Sequence, residues 1–271
     1  MPHANVNGIE IHYRETGEGF PIVFIHGYTG NSRNWALTVP ALREQFRTIS
    51  MDLRGHGLSA KPTRPEDYKL ALMADDVRGL LEQLGVHECY LVGHSMGGGV
   101  AMRLIVSHPE LFRALVLVDT SASPQDSSRT DMRTALLKIA REEGLEAAFE
   151  AQLRIDPGAS EIRSNPEAIE VWRQQFLMTS LEAYLYCAAA MAERESSFLE
   201  DLRRIAVSAL IVCGERDAPF LDPSRQMHET IPGSELVIIP GAGHSPQFET
   251  PAEFNRVLRE FLSRVRETSA A

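Results

Sequence analysis

Cysteine and tryptophan are scarce in this 271-residue chain, with three of the first and two of the second. An odd cysteine count (Cys89, Cys187 and Cys213), with two of the three inside apolar strand-like strings, argues against a disulfide framework. The three read as reduced, buried thiols, which points to a cytoplasmic protein. No Cys/His spacing resembles a zinc site, so no metal is expected. Cationic charge is also short: 27 Lys and Arg stand against 37 Asp and Glu, a net charge of −10. Nucleic acids and anionic membranes are held by clustered cations, so neither is an expected partner. No apolar run approaches the ~18 residues needed to span a bilayer. Met1-Pro2-His3-Ala4-Asn5 shows neither a basic stretch nor an apolar one, so no secretory signal is expected. Internal repeats and low-complexity tracts are lacking too.

What is present is ordinary globular composition, 44% hydrophobic and 24% charged. At ~150 residues per domain the length allows two, though one α/β domain can run to ~250. Apolar, β-rich strings recur at Pro21 to Ile25, Thr48 to Met51, Cys89 to Val92 and Ala114 to Val118, alternating with helical patterns. Such alternation predicts βαβ units and a parallel sheet. Val6 to Ile11 and His12 to Thr16 have no helix between them and are expected to pair as an antiparallel edge. Met73, Val77, Leu80, Leu81 and Leu84 share a helical face that Gly85 should cap. A helix opening near Met96 should stop before Pro109. From 121 to 203 strand signals vanish, and four helical patterns follow, around Met132 to Ile139, Leu145 to Leu153, Ile169 to Phe176 and Leu181 to Ala188. Strands resume at Ala209 to Cys213 and Glu235 to Ile239. A last helix is expected with Thr250 and Glu253 as a capping box, Pro251 in its first turn and an apolar stripe from Phe254 to Val265, before a frayed tail at 268–271.

The chemistry concentrates in Gly93-His94-Ser95-Met96-Gly97. A serine between a strand and a helix, with glycines two residues either side, sits on a tight turn that exposes its hydroxyl. Ser95 is therefore the candidate nucleophile, and a serine hydroxyl needs a base. His244, in the loop Gly241 to Pro246 after the last strand, is the best placed of nine histidines, because open α/β sheets bind ligands at the carboxyl ends of their strands. The base needs an acid to hold its tautomer. Asp217, in Gly214-Glu215-Arg216-Asp217 after the preceding strand, is preferred on sheet position, with Asp119 after Val118 as the rival. Glu215 is expected to face solvent. The backbone N–H groups of Tyr28 and Met96 are the candidate oxyanion donors. The Tyr28 phenol is expected to line the pocket.

Together, His26-Gly27 with Trp35 downstream, Asp52-Leu53-Arg54-Gly55-His56-Gly57-Leu58-Ser59, the serine turn, the Gly214 to Asp217 string and the His244 loop resemble the α/β-hydrolase superfamily. The likeness is to the branch with an inserted helical cap and covers nearly the whole chain. It implies a mostly parallel eight-stranded sheet flanked by helices, residues 1–120 and 204–271 forming the core domain and 121–203 the cap. It implies a structural role for the Asp52 to Ser59 turn, with neither Asp52 nor His56 catalytic, and no cofactor. Haloalkane dehalogenases and epoxide hydrolases of this branch use a carboxylate nucleophile; Ser95 in that position sets their reactions aside. The expected activity is hydrolysis of carboxylic esters of small or medium, largely apolar molecules through an acyl-enzyme. Enol-lactonase, meta-cleavage C–C hydrolase and cofactor-free perhydrolase use the same serine chemistry, and a ligand receptor with incidental hydrolysis is the reading from another class. Phe220 and Leu221, just after Asp217, are candidate pocket residues. Trp172 and Tyr184, with Phe176, Tyr186 and Met191, are candidates for the cap's apolar inner face, although packing between cap helices is the commoner role at such spacing.

Overall fold

A computed structural model of the chain describes residues 2–123, 127–155, 165–192 and 198–268. The chain enters through a hairpin. Strand β1 (His3–Val6) pairs antiparallel with β2 (Ile9–Thr16) across a two-residue turn, Asn7-Gly8. The edge pairing agrees with expectation, but the break falls at Asn7-Gly8 rather than between Ile11 and His12. Both turn residues have positive φ (52° and 79°), the conformation that a two-residue hairpin demands and that Asn-Gly supplies.

The other strands are β3 (Phe20–Ile25), β4 (Phe46–Met51), β5 (Cys89–His94), β6 (Phe112–Val118), β7 (Ser208–Gly214) and β8 (Glu235–Ile239). They form one eight-stranded sheet in the order β1-β2-β4-β3-β5-β6-β7-β8. Only β1 and β2 run antiparallel to their neighbours; every pairing from β4 to β8 is parallel. The chain leaves β4 on one side of β3 and returns as β5 on the other. The strand order therefore reverses between β3 and β5, which opens a crevice beyond their carboxyl ends.

Both faces of the sheet are buried, which explains the unbroken apolar strings. On one face Val23, Ile25, Leu91 and Leu115 pack with the helices Leu70–Gln83 and Met96–Ser107. On the other, Ile22, Phe24, Tyr90, Val92 and Val116 meet Trp35 and the helix Pro251–Thr268. That last helix starts at the expected residue without the expected capping box. Thr250 Oγ1 instead donates to Pro246 O (3.3 Å), and the Glu253 carboxylate binds Arg256. Pro246–Glu249 already forms a helical turn, so Thr250 closes one helix as it precedes the next. Residues 269–271 of the expected frayed tail lie outside the described residues.

Between β6 and β7 the four expected helices are Ser127–Glu143, Leu145–Ile155, Pro166–Leu177 and Leu181–Ala192, and a short fifth, Phe198–Leu202, follows. This insertion has its own apolar centre: Ala140, Ala148, Phe149, Phe176 and Tyr184. Its helix Leu181–Ala192 also drops Ala183, Cys187 and Met191 into the core beneath. Among the described residues no helix is long and apolar enough to cross a membrane.

Candidate active site

Ser95 follows β5 directly and opens the helix Met96–Ser107 with φ 52° and ψ −115°, a left-handed backbone that costs a non-glycine residue free energy. Tertiary bonds hold it there. Its N–H donates to Val118 O (2.9 Å), and its carbonyl accepts from Thr120 Oγ1 (2.7 Å) and Gly98 N (3.0 Å). Gly97 is needed because of a close approach: a Cβ there would lie 2.4 Å from His26 O and 2.5 Å from Ile25 O. The helix can thus press its first turn against the end of β3, leaving the Met96 N–H at a helix start with no intrahelical acceptor.

The loops after β7 and β8 are stitched together. Glu215 N–H donates to Ile239 O (3.0 Å) and Arg216 N–H to Ala242 O (2.8 Å). The exposed Glu215 has more than solvent to face, since its carboxylate accepts Gly241 N–H (2.9 Å). A Cβ on Gly214 would lie 2.0 Å from Gly243 O, so only glycine lets the two turns meet. Asp217 and His244 come together as a result: His244 Nδ1 is 2.7 Å from Asp217 Oδ2, and His244 Nε2 is 3.0 Å from Ser95 Oγ. Asp217 is 6% exposed. Both contacts are within the reach a nucleophile, base and orienting acid require.

Three further residues brace Ser95 and the His244 loop, and the sequence pattern picks out none of them. Glu249 brackets the loop, accepting Gly243 N–H (2.6 Å) and Ser245 N–H (2.8 Å) with its two carboxylate oxygens. His94 Nε2 donates to His244 O (2.7 Å). Burial, and then the nearby His244, push the His94 pKa down to about 3, so His94 is a neutral strut. Thr120 is the third, through the Ser95 carbonyl. A carboxylate four residues after Ser245 and a histidine next to the serine are both visible in the chain, but their partners are far away in sequence.

The other candidates divide. Phe220 stacks on the His244 imidazole, with ring centroids 4.7 Å apart and 29° between planes. Leu221 is half-buried on the same helix, Ala218–Thr230. The Tyr28 ring stacks on Tyr184 (5.2 Å), and its phenol donates to Tyr184 O. The Arg133 guanidinium lies 5.5 Å over that ring. The Tyr28 phenol therefore ties the loop after β3 to the insertion, and burial pushes its pKa well up. Trp172 meets Phe149 edge-on (5.0 Å) inside the insertion's own packing, as does Phe176 (5.4 Å). Tyr186 packs near Tyr68 (5.8 Å), and Met191 is buried. Asp52 accepts Ser32 and Leu58 N–H groups and pairs with His12, as a turn-pinning residue does. Asp119 is buried behind Asp217. The ligating atoms of Asp119, Cys213 and Asp217 all lie within 4.8 Å of one another, the one such metal-capable cluster among the described residues.

Comparison with known proteins agrees with this architecture. The family described as alpha/beta hydrolase fold matches residues 21–251. The chain is 30% identical to AB hydrolase superfamily protein YisY of Bacillus subtilis, over 93% of this chain and 95% of that protein. Among solved structures, a thermophilic esterase from Thermogutta terrifontis is 32% identical, with a TM-score of 0.85 over 97% of this chain and 98% of that one. The enol-lactonase from Burkholderia xenovorans is 28% identical, with a TM-score of 0.88 over 97% and 100%.

Proposed function

Because the chain belongs to the alpha/beta hydrolase family, we propose that it is a serine esterase acting on small or medium, largely apolar carboxylic esters through an acyl-enzyme. The observation that carries this is the continuous contact from Ser95 Oγ through His244 to Asp217, at 3.0 and 2.7 Å. In this reading Ser95 attacks the ester carbonyl while His244 Nε2 takes its proton. Asp217 holds the ring so that Nδ1 carries the other proton, and stabilises the imidazolium. The Tyr28 and Met96 N–H groups receive the oxyanion, each worth on the order of 10²–10³ in kcat. His244 then protonates the leaving alkoxide, and water repeats the sequence on the acyl-enzyme. Phe220, stacked on the base, presents an apolar wall; Leu221 follows it on the same helix, and Tyr184 reaches the site through its stacking on Tyr28. The helical insertion acts as the cap that selects the acyl group. Trp172 contributes to that cap through its packing against Phe149.

The test is turnover of a p-nitrophenyl acetate-to-octanoate series by the wild type and Ser95→Ala. Many turnovers, graded with chain length and lost in the variant, are expected. One slow turnover followed by tight product retention would make the protein a receptor, and rates flat with chain length would refute an enclosed pocket. Lactone hydrolysis is the second reading, because an enol-lactonase shares this architecture at a TM-score of 0.88 and 28% identity. A parallel assay on enol-lactones separates the two.

A further inference from the structure

Asp119 directly follows β6 and adopts φ 43°, a conformation unusual for a residue with a side chain. It is completely buried, at 0% exposure. Its N–H donates to Val212 O (2.9 Å), and its Oδ1 accepts the Gly214 N–H (2.9 Å). It is thereby fixed against the turn that carries Asp217. Its Oδ2 is different: it is buried, and no N–H or O–H among the described residues donates to it. The titratable groups facing it are Asp217 and Cys213, all within the 4.8 Å cluster. A buried carboxylate oxygen without a donor is costly, and two adjoining carboxylates do not both ionise. Asp217 is the one with His244 Nδ1 on its oxygen, so Asp217 carries the charge. Burial, and then the Asp217 charge, hold the Asp119 carboxyl well above the usual carboxylate range. A hydroxyl on Oδ2 turns the unsatisfied acceptor into a donor, with Asp217 as the acceptor beside it.

We propose that Asp119 is a positioning residue of the triad: it keeps its proton and donates it from Oδ2 to the Asp217 carboxylate. Asp217 is then held from both sides, by His244 in front and Asp119 behind, and the imidazolium faces one negative charge rather than two. Only the kinetic arm of the test below rests on the proposed esterase reading.

The test compares wild type, Asp119→Asn and Asp119→Ala in the full chain. The asparagine amide keeps a neutral donor in place of the hydroxyl. The first readout is the His244 titration midpoint by NMR of histidine-labelled protein, which needs no substrate. A neutral donor exchanged for a neutral donor leaves that midpoint within about 0.3 unit of wild type, whereas removing an ionised neighbour would lower it by about one unit or more. The second readout is p-nitrophenyl ester hydrolysis. Asp119→Asn is expected to retain kcat within about threefold, while Asp119→Ala loses on the order of tenfold or more in kcat with KM little changed, as fits a lost bond to a charged group. A downward shift of the midpoint in Asp119→Asn, or an Asp119→Ala enzyme with wild-type kcat, overturns the proposal. So does a change of the wild-type titration on adding EDTA, which would put a cation where the proton is placed. Should Asp119→Ala not fold, the asparagine titration still decides. Should no ester be turned over, the proposed function fails, and the titration by itself still settles whether Asp119 keeps its proton.

Discussion

The strand ends and the helical insertion are held by different forces. At the ends of β5, β7 and β8, Ser95, Asp217 and His244 are placed by bonds and close approaches to main-chain groups: Ser95 N–H on Val118 O, Gly214 against Gly243 O, the Glu249 carboxylate on the N–H groups of the His244 loop. Such contacts leave little room for displacement. The insertion is held by aromatic packing, with Phe149 touching Trp172 and Phe176, and Phe176 touching Tyr184. Packing of that kind accepts volume changes by repacking. The histidines divide the same way, since none of the nine lies between residues 121 and 203. Under the proposed function, the contrast separates a tightly bonded region that would set which bond is broken from a packed one that would set which molecule is admitted. Tyr28 joins them, with its backbone in the first and its phenol on the second.

The largest expected effect tests the rigid side. Asp217→Asn should lower kcat on p-nitrophenyl acetate by on the order of 10⁴, by spoiling the tautomer of His244, while thermal unfolding barely moves. A loss under about tenfold would mean that the triad acid lies elsewhere. Phe149→Ala tests the other side. Removing this fully buried ring should cost about 3–5 kcal/mol of stability and broaden acyl-chain tolerance, with acetate turnover falling less than about tenfold. If acetate turnover fell as far as in Asp217→Asn, the two regions would not be separable.

Acid should weaken the histidine-bearing region. His56 and His94 are buried and neutral, each with its pKa pushed down to about 3, chiefly by burial. Their folded values lie below the unfolded 6.5, so the unfolded chain takes up protons that the folded sites refuse. Stability is therefore whole above about pH 6.5 and declines as pH falls towards about 3. Between about pH 7 and 5 the two together should remove roughly 2–4 kcal/mol. Urea denaturation followed through Trp35 in a Trp172→Phe background measures it, and a flat profile would show that the rings are protonated in the fold.

The smallest effect probes the junction. Tyr28→Phe deletes the phenol bond to Tyr184 O but keeps the Tyr28 backbone N–H. A loss of about 0.5–1.5 kcal/mol of stability and a few-fold rise in KM are expected, with kcat nearly unchanged. A kcat loss on the order of 10²–10³ would instead be the mark of a disturbed oxyanion site.

Much of this molecule is legible in the linear chain. Strand strings from Pro21 to Ile239 fall within about two residues of the observed strands. The helix from Met96 stops at Ser107, before Pro109, because proline cannot continue it. Thr250 shows the other side: a sound capping pattern is overridden because the preceding turn is already helical. The hairpin is a third case, in which the Asn7-Gly8 signal is present but the apolar strings around it draw the expected break elsewhere.

Ser95 on its strained turn, the alternation of strands with helices and the helical character of 121–203 follow from residues within a few positions of one another, since backbone sterics and side-chain periodicity act at that range. The preference for Asp217 over Asp119 rests instead on the order of the strands along the chain, which neighbouring residues do not decide. Both acids end or adjoin parallel strands that lie side by side, and local chemistry places either one near a histidine. Only the folded arrangement aims Asp217 at His244, 27 positions away, and brings both to Ser95, 149 positions from the base. It also turns Asp119 inward and sends the Tyr28 phenol into the insertion, because packing and loop contact, rather than neighbouring sequence, decide where a side chain finds its partner.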